Sequence, residues 1–281
     1  MEHLKILKKD GLYDPDFERD SCGVGFIANI KGYKSHQILE EGITVLKNLV
    51  HRGAIGGDLK TGDGAGVLIQ IPHGFFVKKV EEYGFKLPQE GEYGVGMFFL
   101  PQDKDKRSKT ISIIEEIVKK EGGSILGWRD VEVNYSGLGE IALNSMPYVK
   151  QAFVEFAGLK EGELERKFYI TRRAIENEAF KSQITIEEFY IVSFSSRTIV
   201  YKGMFTAAQL EEFYPDLSDI DAQSAFILVH QRYSTNTFPS WPLAQPFRYI
   251  AHNGEINTLR GNINKMKARE SNLSSSEFGD N

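Results

Sequence analysis

The stretch Asp20-Ser21-Cys22-Gly23-Val24-Gly25-Phe26 holds the only cysteine of the 281-residue chain. After Cys22 the chain enters a glycine-punctuated apolar run, Gly23 to Ile30, which reads as a buried strand whose backbone stays accessible beside the sulfur. A thiol in that position is placed to react. A lone cysteine also serves as a small buried hydrophobe, so the residue by itself leaves both readings open.

Composition narrows the rest. The chain is 41% hydrophobic and 26% charged, as expected of a soluble globular protein able to bury a sizeable core. One cysteine excludes an internal disulfide, and it excludes a cysteine-ligated zinc or iron–sulfur site held by this chain alone. A cytoplasmic setting fits this usage. The formal net charge of −5 argues against a nucleic-acid partner, which would call for a basic stripe. The locally basic Arg260 to Arg269 reads as the solvated face of a helix. No run approaches the ~18 apolar residues of a membrane span, and Met1 to Ser21 lacks the apolar core of a signal peptide.

Along the chain, Ser35 to Val50 reads as a helix capped by Ser35, with Ile38, Val45, Leu46 and Leu49 inward. A glycine-dense loop, Gly53 to Gly66, leads into a strand at Val67 to Ile71. The loop lacks a phosphate-binding Gly-Lys-Ser/Thr ending, and its glycines read as allowing close backbone approach to the Cys22 region. A helix follows near Phe75 to Tyr83, a strand at Tyr93 to Leu100, and a helix at Arg107 to Lys120 bearing Ile111, Ile114 and Ile117. Strands are expected near Ile125 to Val133 and Pro147 to Phe156, then a helix over Glu161 to Ala179 through Leu164, Phe168, Ile170 and Ala174. Two strands, Phe189 to Ser195 and Thr198 to Tyr201, flank the turn Ser196-Arg197. A short helix at Ala207 to Phe213, strands at Ala225 to Tyr233 and Tyr249 to Asn253, and a helix from Asn257 to Glu270 complete the reading. Strands and helices without strict alternation imply an α+β class in one domain.

Four stretches in order carry a resemblance: Cys22-Gly-Val-Gly-Phe26; His51-Arg-Gly-Ala54 running into Thr61-Gly-Asp-Gly-Ala-Gly66; His230-Gln-Arg-Tyr-Ser-Thr-Asn-Thr237; and His252-Asn-Gly-Glu255. Together they resemble the class II glutamine amidotransferases, whose catalytic cysteine becomes the first residue of the mature chain. Gly11-Leu-Tyr-Asp-Pro15, Phe238-Pro-Ser-Trp-Pro-Leu-Ala-Gln-Pro246 and His252 to Gly261 are similar to the amino-terminal glutaminase domain of glutamate synthase large subunits. The resemblance covers residues 11 to 279.

The resemblance implies a four-layer αββα sandwich of the N-terminal nucleophile hydrolase type, with residues 1–21 as a propeptide and 22–281 as a partial domain. Cleavage before Cys22 would turn its amide into an amine of pKa about 7.7 to 8.0, a usable general base. Cys22 would be the nucleophile, and Asn253 with Gly254 the oxyanion pair. Read alone, Asn253-Gly254 is a hairpin turn, and it is the flanking His252 and Glu255 to Arg260 that favour the oxyanion reading. Arg232 would clamp the α-carboxylate of L-glutamine with Thr235 nearby, although a rim ion pair is the plain alternative for Arg232. Asp63 reads as turn-forming or catalytic alike. His51, His230 and His252 show no ligand spacing and read as structural, so no metal is expected. Trp241, between Pro239 and Pro242, reads as a rigid loop covering the pocket.

Ammonia would pass to a synthase domain or subunit, where FMN and an iron–sulfur cluster are expected; no cofactor is expected on this chain. The family's ammonium-binding aspartate has no match before Asn281, so a weak glutaminase of marginal stability is expected. Another N-terminal-nucleophile amidohydrolase, or an inactive module, are the alternative readings.

Overall fold

A computed structural model describes residues 23–231, 238–244 and 258–275. The expected strand at Tyr249 to Asn253 and the propeptide lie outside them.

The run Tyr-Gly-Val-Gly-Met-Phe-Phe-Leu forms β3 (Tyr93–Leu100), with every residue buried. Such a run without polar alternation belongs to a strand covered on both faces. β3 lies between β5 (Tyr148–Glu155) and β6 (Tyr190–Ser195), and β4 (Ser124–Asp130) adds outside β5, giving the order β4-β5-β3-β6. All pairings are antiparallel. One face of this sheet carries Phe98, Leu100, Ala152 and Val154 and packs with residues of α3 (Lys104–Lys120) and α5 (Glu161–Lys181). The other face, with Val95, Met97, Phe99 and Phe153, joins a larger core shared with the second sheet.

That sheet has the order β1-β8-β2-β7, again antiparallel, from β1 (Val24–Ala28), β8 (Phe226–Gln231), β2 (Ala65–Gln70) and β7 (Thr198–Gly203). Helix α1 (His36–Asn48) packs on β1 and β8. Its buried apolar side chains are Ile38, Leu39, Ile43 and Leu46; Val45 and Leu49 are only partly buried. The stripe is thus rotated from the expected one. Ser35 precedes α1 but makes no side-chain cap bond.

Chemistry at the ends explains other shifts. Helix α3 starts at Lys104 rather than Arg107 because Asp103 caps it, accepting from the Lys106 amide at 2.8 Å. Its buried side includes Ile113, Ile114 and Val118, so Ile111 and Ile117 sit at the margin. In α5, likewise, Leu164 and Phe168 are buried with Ile175 and Ala179, whereas Ile170 and Ala174 are marginal. β6 and β7 enter different sheets. Their corner is fastened by Glu165 of α5, which accepts from the Ser196 amide at 2.6 Å and the Ser195 hydroxyl at 3.0 Å.

A buried carboxylate, Asp216, links the sheets. Arg129 of β4 donates two 2.7 Å bonds to Asp216 and one of 2.9 Å to Gln151 of β5. Tyr201 of β7 donates to the same carboxylate at 3.0 Å. Each polar group thereby finds a partner where water is absent. Further helices are α2 (His73–Glu81), the short α4 (Glu140–Asn144) and α6 (Gln209–Phe213). Helix α7 (Leu259–Glu270) buries no residue, in keeping with its expected solvated face.

Candidate active site

Cys22, Arg232, Thr235, Asn253, Gly254 and His252 lie outside the described residues. The frame that leads into them is described. β1 and β8 run antiparallel with Val24 opposite His230, so the start of β1 and the end of β8 meet at one end of the sheet. There the Gln231 amide donates to the Gly23 carbonyl at 2.7 Å. An added Cβ at Gly23 would stand 2.5 Å from the Gln231 carbonyl oxygen, a distance no side chain tolerates. Glycine is required beside Cys22 because β8 comes so close.

The glycine loop folds over the same end. Its neck is clasped by Ala54 and Asp63: the Asp63 amide donates to the Ala54 carbonyl at 3.0 Å, and the Ala54 amide to Asp63 Oδ1 at 2.9 Å. Asp63 is buried and closes this turn through its Oδ1. Further out, Asp58 accepts from the Thr61 hydroxyl at 2.6 Å, the Thr61 amide at 2.8 Å and the Ile141 amide at 3.1 Å. These donors, the Thr61 hydroxyl foremost, hold the Asp58 carboxyl well below the usual carboxylate range. They also tie the loop to α4. Gln231 of β8 is buried, with its amide nitrogen against Gly53. The loop therefore packs directly on the strand that leads to Arg232, as its glycines suggest.

A second segment, Phe238 to Ala244, lies between the stretch holding Arg232 and Thr235 and the stretch holding Asn253 and Gly254. The Trp241 indole is buried among Phe99, Phe205 and Phe213 and donates to the Ala142 carbonyl at 3.0 Å, because so large an apolar surface gains more from the core than from a rim. Gly64, at φ +134°, takes Ala244 against its backbone; a Cβ there would collide with the Ala244 carbonyl oxygen. On the other side, Lys202 of β7 donates to the Pro242 carbonyl at 2.5 Å and stands 4.5 Å over the Tyr190 ring. Lys202 is buried, and burial, with a lesser push from Arg172, brings its pKa down to about 7.

Sequence reasoning misses Lys202 and Gln231 as parts of this frame. A signal for Lys202 is present: strand alternation puts it on the face of Thr198 and Val200 in an otherwise apolar run. Of the histidines, His230 is buried on β8 and His51 is exposed in a 3-10 turn. Among the described residues, no three His, Cys, Asp or Glu side chains gather as a metal would require. No described helix is long and apolar enough to cross a membrane.

An α+β sandwich whose first strand opens beside a lone cysteine, under a glycine loop, matches a known class: the class-II glutamine amidotransferase family model matches residues 22–281, and the chain belongs to that family. Its fold is the sandwich of the N-terminal nucleophile hydrolases. The chain is 47% identical over 281 residues to the NADPH glutamate synthase large chain of Bacillus subtilis, spanning 100% of this chain and 18% of that protein. It is 46% identical over 269 residues to the corresponding large chain of Azospirillum brasilense, spanning 95% and 18% respectively. With the NADH glutamate synthase of Saccharomyces cerevisiae it shares 43% identity over 282 residues, 98% of this chain and 13% of the other. The chain thus spans 13 to 18% of the length of these relatives.

Proposed function

We propose that this chain is the glutaminase domain of a glutamate synthase, hydrolysing L-glutamine to glutamate and ammonia. The observation that carries the reading is the meeting of β1 and β8 at Gly23 and Gln231, 2.7 Å apart. This brings together the strand ends that continue into the nucleophile, Cys22, and the carboxylate grip, Arg232.

In this reading residues 1–21 are a propeptide removed before Cys22, and the freed amine takes the thiol proton. The thiolate attacks the side-chain amide carbon of glutamine. Negative charge on the former carbonyl oxygen is met by the Asn253 side-chain amide and the Gly254 N–H. The ammonium form of the Cys22 amine returns its proton to the leaving nitrogen, ammonia departs, and a thioester remains. Water, deprotonated by the same amine, attacks the thioester and restores the thiol with release of glutamate. Arg232 holds the substrate α-carboxylate through two parallel N–H bonds, with Thr235 beside it. The ammonia serves a synthase domain or subunit that makes glutamate from 2-oxoglutarate; FMN and an iron–sulfur cluster belong to that part. A cytoplasmic location accords with the single-cysteine composition.

The test is glutamine hydrolysis by the purified chain, with its N-terminal residue read by intact-mass spectrometry. Active protein should begin at Cys22, and Cys22→Ala should abolish turnover, since no second thiol exists. An active preparation that retains Met1 to Ser21 would overturn the amine-base mechanism.

A further inference from the structure

Lys202 belongs to no step of the proposed reaction, yet it is a fully buried amine at the site end of the sheet. In register it faces Gly66 of β2, which faces His230 of β8, which faces Val24 of β1. That row lies one residue from the closing pair Gly23 and Gln231. Gly66 contributes no side chain between them, so two buried basic residues, Lys202 and His230, share one sheet face. Burying an amine this way is unfavourable unless it has a fixed acceptor. The Pro242 carbonyl supplies one at 2.5 Å.

Pro242 is the middle of a segment held at three successive points. Trp241 is bonded through its indole to Ala142, Pro242 to Lys202, and Ala244 lies against the bare backbone of Gly64. Proline and the buried indole leave this backbone little freedom of its own. The segment separates Arg232 and Thr235 from Asn253 and Gly254 in the chain. Its anchorage therefore fixes the two ends of the described segment that lies between these groups in the chain.

We infer that Lys202 is a positioning residue for the glutaminase site, clamping the Trp241-Pro242 backbone so that the substrate grip before it and the oxyanion donors after it are held in one frame. This rests on the function proposed above. With the Lys202 pKa near 7, the clamp works close to its own titration. Among the described residues, Arg172 of α5, Tyr190 of β6 and, across Gly66, His230 face it.

Two readouts on the full chain test this: amide hydrogen exchange of Phe238 to Ala244, and steady-state glutamine hydrolysis. In Lys202→Met, exchange of that segment should rise about tenfold while β3 stays protected. KM for glutamine should rise about tenfold, the scale of one charge-assisted hydrogen bond, and kcat should fall as well, because the oxyanion donors share the frame. Unchanged exchange in a folded variant would overturn the clamp whatever the activity. Faster exchange with unchanged KM would overturn the positioning role. Should Lys202→Met fail to fold, Trp241→Phe, which keeps a ring and drops the indole donor, is measured in the same two ways, and the same results support or overturn the clamp and the positioning role. A parent chain unable to hydrolyse glutamine would overturn the function proposed above and the positioning role with it, while exchange still judges the clamp.

Discussion

The Gly23 carbonyl accepts the Gln231 amide at 2.7 Å, and the Gln231 carbonyl in turn lies 2.5 Å from the place a Gly23 side chain would occupy. β1 and β8 are closed against each other by both peptide groups, so this end of the sheet has no slack.

Gly23→Ala should consequently force the strands apart. Overpacking of this kind costs about 1 to 3 kcal/mol, and here the displaced atoms lead directly into Cys22. Urea unfolding should show the loss, and glutaminase activity per folded molecule should fall as well. Gly74→Ala is the control: it lies in α2 with nothing within 4 Å of an added Cβ, so a helix-propensity gain of about 0.5 to 1 kcal/mol is expected. Equal behaviour of the two variants would refute the closeness of β1 and β8.

The oxyanion and substrate assignments separate kinetically. Asn253→Ala should lower kcat by about 100- to 1000-fold, as for the loss of one oxyanion donor. Arg232→Lys should chiefly raise KM for glutamine, because a point charge lacks the two-pronged grip. An Asn253 effect confined to KM, or an unmoved KM in Arg232→Lys, would withdraw the residue from its role.

The Asp216 carboxylate links the two sheets by holding Arg129 of one and Tyr201 of the other, and the Arg129 and Asp216 side chains are only 4% exposed. Asp216→Ala leaves a buried guanidinium and the Tyr201 hydroxyl without their shared acceptor, at a cost of about 3 to 5 kcal/mol. Chemical denaturation should place this variant among the least stable. A loss below about 1 kcal/mol would show that the pair is solvated in solution.

Local signals are readable where sequence chemistry is local. β3 matches its expected bounds, Tyr93 to Leu100, because eight residues without a solvent-facing position are followed by Pro101. β4 stops at Asp130 rather than Val133, where the Asp130 carboxylate takes the Tyr148 hydroxyl and the Lys150 ammonium of β5. Pairing between distant strands leaves no such mark. β6 and β7 look like one hairpin across Ser196-Arg197, yet β6 pairs with β3 and β7 with β2. The same limit applies to the site: motif wording points to Cys22, Arg232 and Asn253, whereas Lys202 and Gln231 acquire their roles only through register. For Trp241 the flanking prolines suggest a rigid loop, and only the surrounding Phe99, Phe205 and Phe213 show that its indole turns inward.

Lys202 also makes stability depend on pH. Its pKa falls from 10.5 in the open chain to about 7 when buried, so between these values the unfolded chain binds the proton and the folded one releases it. Stability from this group therefore rises with pH across that window and is flat below about pH 7, where both states are protonated. From pH 7 to 9 the rise amounts to about 2 kcal/mol. Since other groups titrate in the same range, the quantity to measure is the difference in unfolding free energy between the parent and Lys202→Met at the two pH values. The parent should gain on the variant as pH increases, and the Pro242 contact survives because a neutral amine still donates. A difference independent of pH would mean that Lys202 keeps its proton throughout, held by an interaction strong enough to cancel the cost of burial.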